Sequence, residues 1–131
     1  MIERVEIINR DLIRDERGWF LKVITGKEDN LPLEVGEVYL TSGKPGQSKG
    51  GHYHIRGQEW FIVTQGEAIL KLKDVDTGEQ KEIFMSRDKT FSVYVPPRVA
   101  HIFVNAGVTD FTVLAYSHIS YDPHDTVPFT I

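Results

Sequence analysis

Three of the five histidines lie in two short windows, and both windows carry groups that bind metal ions. The first reads GGHYH at positions 50–54 with Glu59 close behind, and the second reads PPRVAH at positions 96–101. If residues 52–54 are extended, both imidazoles point to the same side, because side chains alternate along a strand. Three imidazoles and a carboxylate suit zinc, nickel, iron or manganese, with positions left open for water or substrate. We therefore predict a cavity with one divalent metal ion and four ligands: His52, His54, Glu59 and His101.

The short loop between the second histidine and the glutamate must bring the two together. Residues 55–58 include Gly57, which permits a turn, so we expect a hairpin that returns the Glu59 carboxylate beside the histidines. His101 begins an apolar strand and shares a face with Phe103 and Asn105. The alternative is that each histidine is an ordinary surface residue or a satisfied core residue, which is the common state of a lone histidine.

The elements that position these residues are strands, because apolar residues recur at every second position. Turn signals such as Gly43-Lys44-Pro45-Gly46 and Asp76-Thr77-Gly78 separate the apolar runs. We expect one helical turn near Lys27–Asn30, ending before Pro32, and a tail at 121–128 that wraps the surface or a partner subunit. Seven runs are predicted to be strands: 18–24, 36–40, 59–63, 68–73, 81–85, 91–95 and 111–116. Such a number of short strands indicates an all-β sandwich or barrel.

Composition limits the classes of protein. The chain has 131 residues, no cysteine and a net charge of −4, so we predict a single domain over 1–131 without thiolate chemistry. There is no basic run to follow a phosphate backbone, which argues against nucleic acid as a partner. There is no apolar segment of membrane-spanning length and no signal peptide pattern, so we expect no membrane partner and a cytoplasmic location.

The two histidine windows resemble the signatures of the cupin superfamily. The first match is Gly46-x5-His52-x-His54-x4-Glu59-x6-Gly66, and the second is Pro96-x4-His101-x3-Asn105, with Arg98 where a glycine is usual. The resemblance implies a cupin β jelly roll of two antiparallel sheets with little helix. It also implies that the matched histidines and the glutamate are the metal ligands. Function does not follow from this fold alone, because the fold hosts several activities.

A narrower resemblance covers most of the chain. The segments Asp15–Phe20, Lys49–Tyr53, Val95–Phe103 and Tyr121–Pro123 are similar to motifs of dTDP-4-dehydrorhamnose 3,5-epimerases. The histidine run also resembles related dTDP-keto-sugar isomerases. Its spacing resembles the C-terminal cupin half of bifunctional capsular UDP-sugar epimerase/reductases, which keeps a metal. These resemblances imply a nucleotide-sugar substrate, a 4-keto-6-deoxyhexose, in cell-surface polysaccharide or glycoside biosynthesis, with no organic cofactor and a homodimeric state.

The chemistry of such an epimerase assigns roles to individual residues. Removing a proton beside a ketone needs a base, a group that holds the enolate charge and an acid for the opposite face. By resemblance His52 matches the base, Lys49 stands near the enolate and Arg17 holds the nucleotide or diphosphate. A histidine nitrogen bound to metal has no lone pair for a proton, so His52 cannot be ligand and base together. If the metal binds, it polarises the substrate carbonyl, and another group, such as a tyrosine, must be the base.

The general acid of the epimerases is a tyrosine, and no tyrosine of this sequence aligns directly with it. The tyrosine of the epimerases aligns with Ala115, and Tyr116 is one step away, on the other face of a regular strand. We therefore take Tyr116 and Tyr94 as candidates, with Tyr39 and Tyr53 as weaker ones. His118 and His124 are expected at the surface or at a subunit contact, whereas Asp122 and Asp125 can orient a histidine from the tail. Two other functions stay open: another metal-dependent cupin enzyme, such as a small-molecule dioxygenase or aldose isomerase, and a non-catalytic sugar-binding cupin.

Overall fold

The computed structural model describes residues 2–34 and 36–131, and nearly all regular structure in this part of the chain is β-strand. A short 3-10 helix, Ile2–Arg4, precedes the first strand. The strands in chain order are β1 Glu6–Asn9, β2 Leu12–Asp15, β3 Gly18–Leu21, β4 Glu37–Gly43, β5 Ser48–His54, β6 Glu59–Gln65, β7 Glu67–Asp74, β8 Gln80–Ser86, β9 Phe91–Val95, β10 Val99–Val104, β11 Phe111–Ser117 and β12 Thr126–Pro128. The all-β prediction is confirmed.

Two five-stranded antiparallel sheets form the body of the molecule. The first sheet has the order β1-β9-β6-β11-β4, and the second has the order β12-β5-β10-β7-β8. Strands β2 and β3 form a separate two-stranded hairpin. Chain neighbours often lie in different sheets, as β5 and β6 do, which is the connectivity of the jelly roll that the cupin resemblance implies.

The core lies between the two sheets, and alternation of side chains builds it. Every second residue of β7 and of β11 is buried, so each strand contributes one apolar face. Fully buried side chains from the first sheet include Phe61, Val93, Phe111 and Val113, and those from the second include Leu70, Leu72 and Met85. Each such side chain contributes about 1.5–3 kcal/mol by leaving water, which holds the sheets together without a disulfide.

Two local expectations near the N-terminal region are wrong. The apolar run at 18–24 is a strand only as far as Leu21. Residues 27–30 form a turn rather than a helical turn, with the Leu31 N–H donating to the Glu28 carbonyl over 3.2 Å. The Glu28 carboxylate accepts the backbone N–H groups of Thr25 and Gly26, and it pairs with Arg10 at 2.9 Å. These side-chain bonds satisfy the loop backbone, so no helix is needed to do so.

The tail is more regular than its composition predicts. Thr126–Pro128 forms β12, which pairs antiparallel with β5 and places Thr126 opposite His54. The proline is tolerated because β12 is an edge strand, where a missing N–H costs no ladder bond. The tail therefore lies directly against the strand that carries two of the predicted ligands.

The β2–β3 hairpin and the free edge of the first sheet leave apolar side chains in solvent. Ile13, Trp19 and Phe20 of the hairpin are each more than half exposed, as are Val38 and Leu40 of the edge strand β4. No helix in the described ranges is long and apolar enough to cross a membrane.

Candidate metal centre and substrate cup

The structure brings together the four residues that the sequence analysis grouped. His52 and His54 lie on β5, Glu59 begins β6 and His101 lies on β10. One ligand atom from each of the four lies within 4.8 Å of the other three. The two sheets thus both contribute, and the group sits between them, with Glu59 and His101 each only 2% exposed.

The route by which Glu59 reaches the histidines differs from the predicted hairpin, which is wrong. Strands β5 and β6 belong to different sheets, so residues 55–58 cross between the sheets instead of turning back along one of them. The Asp125 carboxylate accepts the N–H groups of Arg56 and Gly57, at 2.7 and 3.1 Å. A Cβ on Gly57 would lie 3.0 Å from the Cβ of His54, so the crossing passes close against the ligand strand.

A β-bulge sets the two histidine strands in register. His101 is opposite His52, but Ile102 is opposite Gly50, so Gly51 is the extra residue on β5. Gly50 and Gly51 have φ values of 108° and 87°, which only glycine adopts readily. The rings of His52 and His101 consequently meet edge to face, with centroids 4.9 Å apart and an angle of 80° between their planes.

The donor atoms fit a metal ion better than they fit one another. His101 Nδ1 contacts the Val99 carbonyl at 3.1 Å, which assigns the proton to Nδ1 and leaves a lone pair on Nε2. Glu59 Oε1 lies 2.7 Å from His54 Nε2 and 3.4 Å from His101 Nε2. Although they lie this close, the buried atoms Glu59 Oε1 and His54 Nε2 do not form a hydrogen bond with each other or with any other group in the described part of the chain. Ligands on one ion with bonds of about 2.1 Å are separated by about 3 Å, so this spacing suits a shared ion.

Burial and neighbouring charge shift the pKa values of three groups in this cluster. Burial, with His101 and His54 beside it, lowers the pKa of His52 to about 4, so this imidazole is neutral at physiological pH. Burial lowers the pKa of His54, but Glu59 and Asp125 outweigh it and raise the pKa above the ordinary value. The pKa of Glu59 is lowered, because the adjacent histidines His101 and His54 overcome the effect of burial. The cluster therefore holds a carboxylate and at least one neutral imidazole.

Three of the described residues outside the predicted set contact it through polar side-chain atoms, and one of them is Thr126, whose Oγ1 lies 3.4 Å from His54 Nδ1. The Tyr39 hydroxyl donates to Glu59 Oε2 at 2.7 Å, and Asp125 Oδ2 lies 3.5 Å from His54 Nδ1. Burial and the adjacent Glu59 raise the pKa of Tyr39, so its phenol stays protonated. From the sequence, Tyr39 is one of the weaker tyrosine candidates, and Asp125 is a residue of the tail that can orient a histidine. The sequence does not indicate which histidine, because the contact of Asp125 with His54 depends on the pairing of β12 with β5.

The structure does not bring Tyr94 or Tyr116 to the cup. Both lie opposite Trp60 in the first sheet and pack against its ring, on the face away from Glu59. The Tyr94 hydroxyl donates to Gln58 Oε1, and the Tyr116 hydroxyl donates to the Glu34 carbonyl. The irregularity of β11 falls between Thr112 and Val113, before Tyr116, so it does not turn Tyr116 inward.

Of the other candidate residues, some line the cup and others lie away from it. Lys49 lines the cup beside His52 and His101, as the resemblance implies. The Arg17 side chain is 85% exposed at the tip of the β2–β3 hairpin and pairs with Asp15, and it is absent from the described residues that line the cup.

His124 is exposed as expected, but His118 is buried, and the surface prediction for it is wrong. Its Nδ1 accepts the Gln58 N–H at 2.9 Å, which fixes the crossing loop.

The cup consists of two hollows that share Tyr39 and His52. The first hollow has a volume of about 240 Å³ and opens toward the tail, and the second has a volume of about 280 Å³ and opens toward Lys49. Besides the candidate ligands, the first is lined by Glu37, Ser117, Ile119, Ser120, Tyr121, Asp122, Asp125 and Thr126, and the second by Thr41, Gly50, Phe61 and Phe103. The cup thus offers polar groups toward the tail and an apolar floor of phenylalanines.

A jelly roll with histidines and a glutamate converging inside it defines the class of protein as a cupin. The family model of the polysaccharide biosynthesis C-terminal domain matches residues 13–129, and the chain belongs to this family.

Two curated proteins are similar to this chain in sequence. The spore coat polysaccharide biosynthesis protein SpsL of Bacillus subtilis is 30% identical over 129 residues, which cover 94% of this chain and 84% of the relative. A UDP-2-acetamido-2,6-beta-L-arabino-hexul-4-ose reductase of Pseudomonas aeruginosa is 29% identical over 108 residues, 82% of this chain. That match spans only 27% of the length of the reductase.

Solved structures establish the fold independently. The crystal structure of a dTDP sugar isomerase from Desulfovibrio desulfuricans superposes with a TM-score of 0.87 at 20% identity, over 96% of this chain and 83% of that chain. Structures of a 4-keto-6-deoxy sugar epimerase and of a 3,4-ketoisomerase share the fold as well, with TM-scores of 0.83 and 0.81. These solved structures are of a dTDP sugar isomerase, a 4-keto-6-deoxy sugar epimerase and a 3,4-ketoisomerase, and the cupin jelly roll predicted from the sequence is confirmed.

Proposed function

We propose that the cup binds a nucleotide-linked 4-keto-6-deoxyhexose and catalyses epimerisation or isomerisation by removing and returning a proton beside the ketone. The observation that carries the proposal is the convergence of three histidines and one carboxylate inside a cup that also holds a lysine. The family is one of polysaccharide biosynthesis, and the structural neighbours act on keto-sugar nucleotides. The product therefore belongs to the biosynthesis of a cell-surface polysaccharide or glycoside.

The same cluster supports a resident divalent metal ion, held by His52, His54, Glu59 and His101. The support is the buried pair of unpartnered atoms, Glu59 Oε1 and His54 Nε2, and the lone pair left on His101 Nε2. Zinc, nickel, iron and manganese all suit imidazole and carboxylate ligands. When bound, such an ion polarises a ketone oxygen as a Lewis acid.

The residues of the chain itself divide the remaining tasks. The Lys49 ammonium at the mouth of the second hollow supplies positive charge for the developing enolate. The neutral His52 imidazole can accept a proton in the metal-free protein, or it binds the ion, in which case another group removes the proton. Tyr39 is the candidate tyrosine whose hydroxyl contacts the cluster, at Glu59. Arg17 remains a proposed contact for the nucleotide diphosphate, carried by its motif rather than by its position in this chain.

Exchange of solvent deuterium into the substrate tests this function directly. Incubation in deuterated water with UDP- or dTDP-linked 4-keto-6-deoxyhexoses, followed by proton NMR, should show deuterium at a carbon beside the ketone. His52→Asn should abolish exchange, whereas His124→Asn, an exposed histidine, should not. Tight binding of these sugars without exchange would contradict the enzymatic proposal and indicate a sugar-binding cupin. Oxygen consumption with a small-molecule substrate would indicate a dioxygenase.

We also propose that the chain forms a homodimer. The support is the free edge strand β4, which presents Val38 and Leu40 to solvent at 65% and 67% exposure. The isolated β2–β3 hairpin adds three more exposed apolar side chains. An unpaired edge with an apolar face favours association, and a second copy of the chain would cover both features.

A further inference from the structure

We infer that Tyr39 is a positioning residue for the metal: its hydroxyl holds one oxygen of Glu59, so that the carboxylate binds the ion through the other oxygen alone. This inference rests on the metal site of the proposed function and concerns a residue outside the ligand set. The Tyr39 hydroxyl donates to Glu59 Oε2 at 2.7 Å, while the unpartnered Oε1 faces His54 and His101.

The sheet explains how a tyrosine from an edge strand reaches this carboxylate. On β11, Ala115 is one of the inward-facing residues, and it lies opposite Tyr39 on β4 and opposite Phe61 on β6. Because Ala115 has only a methyl group, the phenol ring has room to extend from β4 toward β6. A larger side chain at position 115 would occupy this path.

The hydrogen bond from Tyr39 determines which oxygen of the buried Glu59 carboxylate is left for the ion. Glu59 is 2% exposed, so its Oε2 needs a donor close by, and the Tyr39 phenol supplies one. A carboxylate with both oxygens free can bind an ion through one or through both of them. A donor fixed on Oε2 disfavours the two-oxygen mode and leaves a coordination position open toward the hollows, where a substrate oxygen can enter.

Replacing Tyr39 with phenylalanine tests the inference, because it removes the hydroxyl and keeps the ring. The matched control is Tyr94→Phe, which removes a hydroxyl bonded to Gln58 on the opposite face of the sheet. The measurements are the zinc dissociation constant by chelator competition and the visible absorption spectrum of the cobalt(II) form. Mutating a residue that hydrogen-bonds a metal ligand typically lowers metal affinity by about 10–100-fold. We expect Tyr39→Phe to weaken zinc binding at least tenfold and to alter the cobalt spectrum, and Tyr94→Phe to change neither.

The outcomes separate this inference from the proposed function. If the wild-type protein binds zinc and Tyr39→Phe matches it in affinity and spectrum, the positioning role is overturned and the metal site stands. If both tyrosine variants lose affinity equally with an unchanged cobalt spectrum, the effect is a general loosening of the fold, and the positioning role is again overturned. If the wild-type protein binds neither zinc nor cobalt, the metal site itself fails, and this inference fails with it.

Discussion

At the scale of single residues, the site depends on histidines whose surroundings differ. His52 has a pKa of about 4 because it is buried beside two other histidines, whereas the pKa of His54 is raised by Glu59 and Asp125 despite its burial. A metal ion held at the proposed site would bind the neutral imidazole of each. His54 is therefore the one of these two that must release a proton near neutral pH when the ion binds.

This difference predicts the pH dependence of metal binding. Because the pKa of His54 is raised above the ordinary histidine value, protons begin to compete with the ion already above the ordinary histidine range as the pH falls, whereas His52 competes only near pH 4. We expect zinc affinity to fall between pH 8 and pH 6, by at most about tenfold per unit for one proton. Chelator competition at several pH values measures this. An affinity that does not change between pH 8 and pH 6 would contradict it.

Asp125 predicts a coupled loss of stability and of metal affinity. Asp125→Asn replaces one acceptor oxygen by a donor, so either the Arg56 or the Gly57 N–H loses its partner, and His54 loses a negative neighbour. An unsatisfied buried donor costs about 1–3 kcal/mol of the free energy of unfolding. Zinc affinity should fall as well. Denaturant unfolding and chelator competition are the measurements, with Asp122→Asn as the control, since Asp122 bonds only the exposed His124 N–H among the side-chain contacts described.

An Asp125→Asn protein with wild-type stability would show that the crossing loop does not depend on this carboxylate. A protein that loses stability but keeps full zinc affinity would remove Asp125 from the support of His54.

Residue types and local spacing were sufficient to predict the ligand group. His52 and His54 share a face by alternation alone, and the second window supplied His101. Tyr39 and Asp125 were ranked low because their contacts join residues 20 and about 70 positions apart, through strand pairings that spacing does not reveal. Tyr94 and Tyr116 were proposed from their position in the chain, and their place on the outer face follows from the same alternation that placed Glu59 inside.

At the scale of elements, the bulge in β5 is the feature that aligns the ligands. Gly50 and Gly51 both have positive φ, and the extra residue lets His52 lie directly opposite His101. The connection from β9 to β10 has a similar requirement at Arg98, whose φ is 64° at the position where the cupin pattern has glycine. The arginine is held there by its pairing with Asp76 at 2.8 Å.

Gly50→Ala tests the role of the bulge. A Cβ at this position would lie 2.9 Å from the His101 carbonyl oxygen, in addition to the cost of the positive φ. We expect a loss of at least about 2 kcal/mol in the free energy of unfolding, together with weaker zinc binding. The control is Gly78→Ala, which has a φ of 79° but open space around the new methyl group, and it should cost only about 1 kcal/mol. Equal losses in the two variants would contradict the role given to the bulge.

At the scale of the whole molecule, hydrophobic periodicity predicted the sandwich, but not which strands pair. All seven predicted runs contain strands, because alternation reports that one face is buried. It does not report which sheet a strand joins, so β5 and β6 were expected to form a hairpin and instead lie in different sheets. The β12 strand was missed because it is only three residues long, ends in proline and is held by pairing with β5.

The exposed edge predicts the oligomeric state. Light scattering should give twice the 15.0 kDa mass of the chain if a second copy covers β4. Val38→Lys with Leu40→Lys should shift the protein to monomer, because two charges then lie on the edge strand, while Val108→Lys, at an exposed loop residue, should leave the dimer intact. A wild-type monomer at high concentration, or a dimer unaffected by both lysines, would contradict this interface.

The central claim is that groups from both sheets bind one metal ion inside the cup. Elemental analysis of protein purified without added metal, compared with His54→Ala prepared in parallel, tests it most directly. We expect about one equivalent of zinc, nickel, iron or manganese in the wild-type protein and a large loss in the variant. A metal-free wild-type protein that still exchanges deuterium into a keto-sugar nucleotide would contradict the claim and assign His52 to proton transfer instead.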